Sequence, residues 1–265
     1  MRRPTFEVVA WGIAGSVRDA GRPGLAHLGR SRGGAVDLAA LELGNRLVGN
    51  DPCAAGIETS GGLVMRCIVA TMVAVTGSPA DVHVEGGPPV GWGGPVVLPA
   101  GAMLRIGRLR GGVRTYVCVR GGIEGRDGDV LQLGPDPEEP ASTHPAVPRA
   151  LDRPVRLWPG PRLDRFDDGA WDALLATTWE VLSASDRIGL RLDGRPLERV
   201  RHDELPSEGL LEGAIQVPPD GRPIVMLADH PATGGYPVIA VVDPADLGLV
   251  AQRSVGAAVR FTPAR

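Results

Sequence analysis

Short apolar runs alternate with turn residues along the whole chain. Runs of roughly four to eight residues rich in β-branched side chains are typical of strands. They fall at residues 6–10, 63–66, 68–75, 96–98, 103–106, 113–119, 179–185, 188–192, 214–217, 223–227, 238–242 and 258–261. Between them, 38 glycines and 25 prolines are scattered instead of forming one tract. This spacing predicts a mostly β protein built as sandwiches or barrels.

Residues 36–48 form the one segment of the first half with a helical period. Asp37 lies in its first turn and Gly49 follows its last one, as at many helix ends. The apolar positions predicted to share its buried face are Val36, Ala39, Ala40, Leu43 and Leu47.

A stretch rich in proline and charge, residues 134–156, interrupts the strand pattern. Such a stretch without periodicity is typical of a linker between domains. We therefore predict an N-terminal domain over residues 1–134, a linker over 135–156 and a C-terminal domain over 157–265. Each domain is expected to be a small β-barrel with a few short helices.

Charge and composition exclude several classes of function. The net charge is −3 and the isoelectric point about 6.0, which offers no basic surface for nucleic acid or an anionic membrane. All 28 basic residues are arginine, so a P-loop lysine and a Schiff-base lysine are excluded. No apolar run is long enough to span a bilayer, and the first residues predict a strand instead of a signal peptide.

The cysteines indicate a reducing compartment. Cys53, Cys67 and Cys118 lie far apart in apolar surroundings without CxxC spacing. This pattern is typical of buried thiols, and we expect a cytoplasmic protein.

Familiar catalytic and metal-binding motifs are missing from the sequence. The chain has neither GxxxxGK[ST] nor GxSxG nor HExxH, and its five histidines lack ligand spacing. The densest polar cluster, His202-Asp203-Glu204, is expected to be a solvated turn. We predict no metal site.

The first of two candidate loops for chemistry covers residues 18–37. It contains five glycines and four arginines and leads into the predicted helix. Glycine amides, arginines and a helix N-terminus together bind carboxylates or phosphates. A long solvated loop would have the same composition.

The second candidate loop connects two strand runs with ten residues, 228–237, whereas a hairpin needs about two to five. Asp229 could be a general base or a magnesium ligand. Thr233 and the amides of the two following glycines could hold an oxyanion, and Tyr236 could donate or stack. The same residues would also suit a turn in which Asp229 braces the backbone and Tyr236 packs.

Five stretches in the same order resemble one family along nearly the whole chain. They are DAGRPGLAHLG, GGAVDLAALELGNRLVGNDPCAAGIE, SDRIGLRLDG, SEGLLEGAIQVPPDGRPIVMLADHPATGGYP and VAQRSVGAAVRF. The chain is similar to the allophanate hydrolase subunit 2 family, also described as biotin-dependent carboxyltransferase-like, which includes the C subunit of bacterial 5-oxoprolinase. The resemblance implies two cyclophilin-like β-barrel domains, in agreement with the strand pattern.

The resemblance also implies a reaction and partners. The reaction is the ATP-dependent opening of a cyclic amide, 5-oxo-L-proline to L-glutamate, with ATP and Mg²⁺ as implied cofactors. The implied partners are a B subunit, like allophanate hydrolase subunit 1, and an A subunit. Because an unstrained lactam is a poor electrophile, its oxygen must be phosphorylated before water attacks, which requires a pocket that binds anions.

Site residues are carried over from the resemblance position by position. It implies Asp229, Thr233 and Tyr236 as catalytic residues, with Asp229 the first choice for a base or metal ligand. Asp37 would bind substrate or cap its helix. The full set of implied substrate- or anion-binding residues is Arg22, His27, Asp37, Glu58, Arg187, Glu208, Gln216, His230, Gly234 and Gly235.

Three departures from the family pattern keep other interpretations open. Pro231-Ala232 stands where the family usually has Gln-Thr, Val238 stands where it has lysine, and a polar segment with a GSRST-like motif is missing after Ile123. The chain could therefore be a non-catalytic regulator that binds a kinase-inhibitor-like partner subunit. It could also be a biotin-dependent carboxyltransferase component, with biotin on a separate carrier because the chain has no lysine.

Overall fold

The computed structural model describes residues 5–87, 90–125 and 128–265. Strands contain 34% of the residues and helices 12%, which confirms the mostly β class. One unit of the fold contains the described residues up to Gly21 together with Asp37–Arg149, and the other contains Arg22–Val36 together with Ala150–Arg265. The loop that precedes the predicted helix thus lies in the second unit, although the sequence prediction counted it with the first half. The predicted limits 1–134 and 157–265 stay a prediction.

The first unit contains two antiparallel sheets. One has the strand order β10-β11-β1-β4-β8-β6 and the other β2-β3-β9-β5-β7. The strands are β1 (Thr5–Ala10), β2 (Ser16–Arg18), β3 (Gly56–Thr59), β4 (Leu63–Cys67), β5 (Thr71–Gly77), β6 (Ala80–Val84), β7 (Pro95–Leu98), β8 (Met103–Leu109), β9 (Thr115–Val119), β10 (Ile123–Glu124) and β11 (Val130–Leu133). Apolar side chains from both sheets form one buried cluster, which includes Phe6, Ile57, Leu63, Met65, Val75, Leu104 and Val117.

Strand β9 is buried at every position because a helix covers the second face of its sheet. Helix α1 (Leu38–Leu47) packs against β5 and β9. Val117 faces the core between the sheets, whereas the Cys118 thiol lies 3.5 Å from Leu41 O of the helix. Tyr116 lies on the same face of β9 as Cys118, and its hydroxyl accepts from Asp37 N at the start of the helix.

The bounds of α1 confirm the predicted helix. Its predicted buried face is correct at Val36, Ala40 and Leu47, wrong at Ala39 and only partly correct at Leu43. Ala39 is exposed and Leu43 half-buried, and the buried positions are Ala40, Leu41, Gly44, Asn45 and Leu47. Gly44 explains the rotation of the face. A Cβ at this position would lie 2.6 Å from Cys118 Sγ and 2.8 Å from Thr76 Oγ1, so the missing side chain lets the helix approach the sheet closely.

The proline-rich segment is attached to the first unit as far as Arg149. Arg120 donates to Glu139 O at 3.0 Å and to Pro137 O at 2.7 Å. Further along, Ser142 N donates to Leu47 O at 2.9 Å. These hydrogen bonds give the segment a fixed course despite its lack of regular secondary structure.

The second unit contains an eight-stranded sheet in the order β20-β13-β14-β17-β16-β19-β12-β21 and a two-stranded sheet of β15 and β18. The eight-stranded sheet is a nearly closed barrel, because its two end strands are separated in the chain by Arg260 alone. The strands are β12 (Val155–Pro159), β13 (Trp179–Val181), β14 (Gly189–Asp193), β15 (Glu208–Gly209), β16 (Ala214–Gln216), β17 (Ile224–Met226), β18 (Thr233–Gly234), β19 (Val238–Val242), β20 (Ala258–Val259) and β21 (Phe261–Pro263).

Short helices complete the second unit. They are α2 (Ala170–Ala176), α3 (Leu247–Ala251) and the 3₁₀ helices Ala26–Leu28, Leu163–Arg165 and Pro244–Asp246. The core contains the fully buried Trp179, whose indole Nε1 donates to Leu174 O at 3.0 Å. None of the helices in the described parts of the chain is both long and apolar enough to cross a membrane.

The cysteine prediction is confirmed at two positions and wrong at the third. Cys67 and Cys118 are buried, whereas Cys53 is exposed. Burial raises the pKa of the Cys67 thiol to about 11 and that of the Cys118 thiol further still, so both stay protonated at neutral pH.

Asp246 is the most deeply buried carboxylate of the second unit. Its oxygens accept from Arg153 at 2.6 Å and from Arg156 at 2.9 Å, and it also accepts from the Arg156 backbone N–H at 2.9 Å. Burial alone would raise the pKa of this carboxyl. The hydrogen bonds from Arg156 and Arg153 outweigh burial and hold the pKa well below its usual range.

We expect Gly44→Ala to destabilise the first unit by about 1–3 kcal/mol, because the added methyl meets Cys118 and Thr76. Alanine is otherwise favoured in helices by about 1 kcal/mol over glycine. Urea unfolding measures the sign of the change in the free energy of unfolding. A more stable variant would contradict the packing argument.

We expect Asp246→Asn to destabilise the protein by about 2 kcal/mol, because two partly exposed arginines lose their buried carboxylate. A carboxyl with a lowered folded-state pKa contributes stability above its unfolded pKa of about 4, and this contribution is lost as the pH falls. Thermal unfolding between pH 7 and pH 3 should therefore show a shallower acid decline for the variant. Asp243→Asn is the matched control, since Asp243 also bonds Arg156 but is less buried; an equal loss in both variants would rule out the special role of Asp246.

Candidate functional site

In the first unit, the predicted residues Asp37 and Glu58 are both buried. Asp37 is the N-cap of α1, where its Oδ1 accepts from Ala40 N at 3.2 Å. Arg149 lies 3.4 Å from the same carboxylate. The capping role that the sequence left open is therefore present, and the ion pair anchors the end of the proline-rich segment at the helix start.

Tyr116 joins these two acids. The Asp37 backbone N–H donates to the Tyr116 hydroxyl at 2.8 Å, and the hydroxyl donates to Glu58 Oε2 at 2.7 Å. Arg114 Nε lies 3.8 Å from the other Glu58 oxygen. Burial raises the pKa of Tyr116 well above its usual value, and the nearby carboxylates of Glu58 and Asp37 raise it further, so the phenol stays protonated.

In the second unit, Arg187 and Asp229 form an ion pair. Arg187 Nε donates to Asp229 Oδ2 at 2.8 Å, and Arg187 Nη2 lies 3.4 Å from Asp229 Oδ1. The same Nη2 donates to Gly34 O at 2.5 Å, and Asp229 N donates to Arg187 O at 3.0 Å. Arg187, predicted to bind an anion, is thus paired with Asp229, the predicted base. The Asp229 side chain is still 32% exposed, so part of the carboxylate is within reach of solvent.

Backbone hydrogen bonds attach the loop of residues 22–36 to the turn that carries Asp229. Gly33 N donates to Ala228 O at 2.9 Å, and Arg22 N donates to Arg32 O at 2.7 Å. Arg32 in turn forms an ion pair with Glu212, Nε to Oε2 at 2.8 Å. Residues 22–36, most of the first predicted loop, and the start of the second loop are therefore connected by hydrogen bonds.

The loop of residues 22–36 presents cations and glycine backbone to solvent. Arg22 and Arg30 are exposed, and among the described residues neither guanidinium has an ion-pair partner. Gly24 and Gly29 adopt positive φ with open space around them. His27 is exposed, and its Nδ1 donates to Gly24 O at 3.0 Å. Exposed guanidiniums are suitable donors for a carboxylate or a phosphate.

The end of the second loop is supported by Gln216. This buried amide donates through Nε2 to Tyr236 O at 3.0 Å. A Cβ at Gly234 would lie 2.6 Å from Gln216 Nε2 and 2.8 Å from Leu210 Cδ1, whereas one at Gly235 would come no closer than 3.6 Å to any described atom. The first glycine is thus required by packing, and the second is not.

The remaining predicted residues differ in their surroundings. Glu208 pairs with Gly234 between β15 and β18 and forms an ion pair with Arg162. His230 is buried, and its Nδ1 donates to Pro231 O at 2.8 Å. Thr233 and Tyr236 are exposed, so both are accessible to a ligand.

The structure therefore brings the predicted residues together in three groups. The first is Asp37 with Glu58, the second is Arg187 with Asp229, and the third is Glu208, Gln216, Gly234 and Tyr236. The sequence analysis missed the residues that hold these groups, namely Tyr116, Arg149 and Arg162, and it missed Glu212, which pairs with Arg32 of the neighbouring loop. A tyrosine within the apolar run 113–119 was the one available signal, because a buried phenol needs a hydrogen-bond partner.

A pocket of about 390 Å³ in the first unit contains none of these residues. It is lined by Ala70, Thr71, Met72, Val97, Arg120, Leu133, Gly134 and Asp136. Arg120 is already bonded to the proline-rich segment and to Asp136. The ion pair of the lining, Arg120 with Asp136, is thus already part of the attachment of that segment, so we place the candidate chemistry at the three groups instead.

Comparison with known proteins identifies the family. The carboxyltransferase domain family, subdomains A and B, matches residues 28–127 and 124–263. The chain belongs to this family. The C subunit of 5-oxoprolinase from Escherichia coli strain K12 is 34% identical over an alignment of 281 residues. The alignment covers 97% of this chain and 90% of the relative.

Two solved structures share the fold. The crystal structure of the Kluyveromyces lactis urea carboxylase matches with a TM-score of 0.90 and 27% identity, over 99% of this chain and 28% of that one. The crystal structure of TTHA0988 matches with a TM-score of 0.87 and 35% identity, over 99% of this chain and 56% of that one. The chain thus spans about half or less of these solved chains. The predicted family and the two cyclophilin-like β-barrel domains are confirmed.

We expect Gly234→Ala to displace Gln216 and to destabilise the loop by about 1–3 kcal/mol, with faster amide hydrogen exchange at residues 233–237. Gly235→Ala, the matched control, should leave both unfolding and exchange unchanged, because its Cβ meets ordinary contacts. Equal behaviour of the two variants would contradict the packing role of Gly234.

Proposed function

We propose that this chain is the C-type subunit of a cytoplasmic hetero-complex that opens 5-oxo-L-proline to L-glutamate with ATP. Support comes from the family membership and from the relative named as the C subunit of 5-oxoprolinase, which the chain covers almost completely. The proposed partners are a B subunit like allophanate hydrolase subunit 1 and an A subunit. The name of that relative, as one subunit of an enzyme, implies further subunits without identifying them.

The observation that carries the proposal is the Arg187–Asp229 pair beside an exposed cationic loop. A carboxylate that is partly exposed can accept a proton from an attacking water. Arg187 fixes the orientation of this carboxylate through Nε, and Arg22 and Arg30 remain available to an anionic substrate. A base and an anion-binding surface are what hydrolysis of a carboxylated lactam requires.

The proposed chemistry assigns each group one task. Arg22 binds the substrate carboxylate, and the exposed Thr233 hydroxyl and the Gly235 amide stabilise the oxygen at the ring carbon. Asp229 accepts a proton of the attacking water and returns it to the ring nitrogen as the ring C–N bond breaks, which releases the amino group of glutamate. The phosphoryl group then leaves as inorganic phosphate when a second water hydrolyses the acyl phosphate.

ATP, when bound, would supply the phosphoryl group that activates the amide oxygen, with Mg²⁺ bound by the phosphates. The donor set fits an anionic nucleotide, because the Arg30 guanidinium is exposed and has no ion-pair partner among the described residues. Since the sequence has no lysine, any phosphate contact from this chain must come from arginine or backbone.

A non-catalytic binding protein is the second candidate, and the altered loop positions favour it. Ala232 and Val238, which replace polar residues of the family pattern, are both buried. Val238 packs with Leu210, Ala214 and Met226 in a small apolar cluster. These positions contribute packing and no side-chain donor to the loop.

The test is to co-express the chain with its neighbouring B and A subunits and to measure ATP hydrolysis that depends on 5-oxoproline, urea or allophanate. We expect turnover with 5-oxoproline. An intact complex without turnover on any of these substrates would exclude the enzyme and favour the binding protein. Turnover with urea that requires a biotinylated carrier would instead indicate a carboxyltransferase component.

Asp229→Asn tests the assigned base. We expect a loss of kcat of about 10²–10⁴-fold, as for removal of a general base. Asp193→Asn is the matched control, because Asp193 forms a comparable ion pair with Arg222 Nε at 2.7 Å. Undiminished activity of Asp229→Asn would show that Asp229 is a turn residue.

A further inference from the structure

We propose that the pocket lined by Met72, Val97, Arg120 and Asp136 in the first unit binds a small organic cation, an ammonium or guanidinium group on a short apolar stem. The proposal does not depend on the proposed function, because none of the candidate site residues lines this pocket. Its volume of about 390 Å³ is near the lower end of the usual range for ligand pockets, about 300–1,000 Å³, so the ligand it fits is small.

The first step of the argument is the apolar wall of the pocket. Side chains alternate along β5, so Val73 faces the core between the sheets and Met72 faces the side that α1 covers. Helix α1 packs against β5 and β9, whereas β7 lies at the edge of the sheet. Val97 of β7 pairs with Met72 and is 66% exposed. The two side chains therefore offer apolar surface to the stem of a ligand.

The second step is that Arg120 is fixed and already satisfied. Its side chain is 18% exposed. Its hydrogen bonds go to Asp136 Oδ1 at 2.6 Å, Val48 O at 2.8 Å, Glu139 O at 3.0 Å and Pro137 O at 2.7 Å. A guanidinium that donates to four acceptors has little capacity left for an anionic ligand. The pocket wall is thus preformed, and its arginine does not select an anion.

The third step is the charge at the rim. Asp136 is 79% exposed, and among the described residues only Arg120 donates to its carboxylate, so the carboxylate can accept further hydrogen bonds. Glu138 and Glu139 follow in the same segment and are also exposed. Residues 134–140 contain these three acids and no basic residue. Against the single charge of Arg120, the surplus is negative and attracts a cation.

These features together define the class of ligand. Met72 and Val97 suit an alkyl stem, and Asp136 suits an ammonium or guanidinium group. The hydroxyl of Thr71, which also lines the pocket, has no hydrogen-bond partner among the described residues and can accept from the same group. A carboxylate on the same stem would instead meet the negative surplus of the rim.

Methyl NMR of the full chain tests the site directly. The chain has five methionines, and carbon-13 labelling of their methyl groups gives a resonance at Met72 that Met72→Leu assigns. The probe is n-butylammonium chloride, and butanol and sodium butyrate are its uncharged and anionic analogues. We expect the Met72 resonance to shift with a dissociation constant of about 1 mM, as for a ligand of few atoms. An equal response to butanol, or a stronger one to butyrate, would overturn the proposal.

Asp136→Asn tests the partner of the cation. Arg120 keeps its three backbone acceptors in this variant, so the pocket should keep its shape. We expect the affinity for n-butylammonium to fall about three- to fivefold, a modest loss because Asp136 is exposed. Asp81→Asn is the matched control, since Asp81 forms an ion pair with Arg110 and does not line the pocket. An unchanged affinity in Asp136→Asn, or an equal loss in both variants, would rule out the assigned carboxylate.

Val97→Ser tests the apolar wall. The position is exposed on an edge strand, so the variant should fold, and we expect the affinity to fall about two- to threefold. Val130→Ser is the matched control, because Val130 is 60% exposed in the same unit and lies outside the lining. If Val97→Ser binds as tightly as the unchanged chain, the cation binds outside this pocket and the proposal fails.

The assembled complex distinguishes two sources of the same chemistry, a free molecule and a lysine or arginine side chain of another subunit. The occupant is a free molecule, because eight residues line the pocket whereas a protein interface takes about 20–30 residues from each partner. In the chain co-expressed with B and A subunits, Met72 should therefore still respond to n-butylammonium. A Met72 resonance that is already shifted in the complex and insensitive to the probe would overturn the assignment to a free molecule.

Discussion

The contact of Arg187 with Asp229 and Gly34 is the interaction on which the candidate site of the second unit depends. One guanidinium reaches a carboxylate in the loop after β17 and a carbonyl more than 150 residues earlier in the chain. Arginine is suited to this task because its planar fork presents several donors in fixed directions. A lysine, with one ammonium group, could not hold both partners in the same geometry.

The first unit solves a related problem with a phenol. Strand β9 is buried on both faces, which requires apolar residues throughout, yet the start of α1 and the Glu58 carboxylate need hydrogen-bond partners. Tyr116 satisfies both requirements, since its ring packs in the core and its hydroxyl bonds both groups. A buried polar network of this kind is stable when every member has a partner.

The candidate site is therefore built from acids that already have hydrogen-bond or ion-pair partners. The site acids are paired with arginine or tyrosine, and the exposed cations of the loop at residues 22–36 are left for an anion. The substituted positions of the second loop are buried, as Ala232 and Val238 show. The polar side chains of Thr233 and Tyr236 in the same loop stay exposed. The conformation of this loop therefore depends on apolar packing as well as on its polar residues.

The sequence alone determined the mostly β class, the bounds of α1 and the two polar loops, because these features rest on local periodicity and turn chemistry. The tertiary structure decided which face of α1 is buried, through the close approach at Gly44. It also decided that residues 22–36 belong to the second unit and that Tyr116 bonds Glu58. These contacts join residues far apart in the chain, and no local pattern specifies which distant partner a buried polar group will meet.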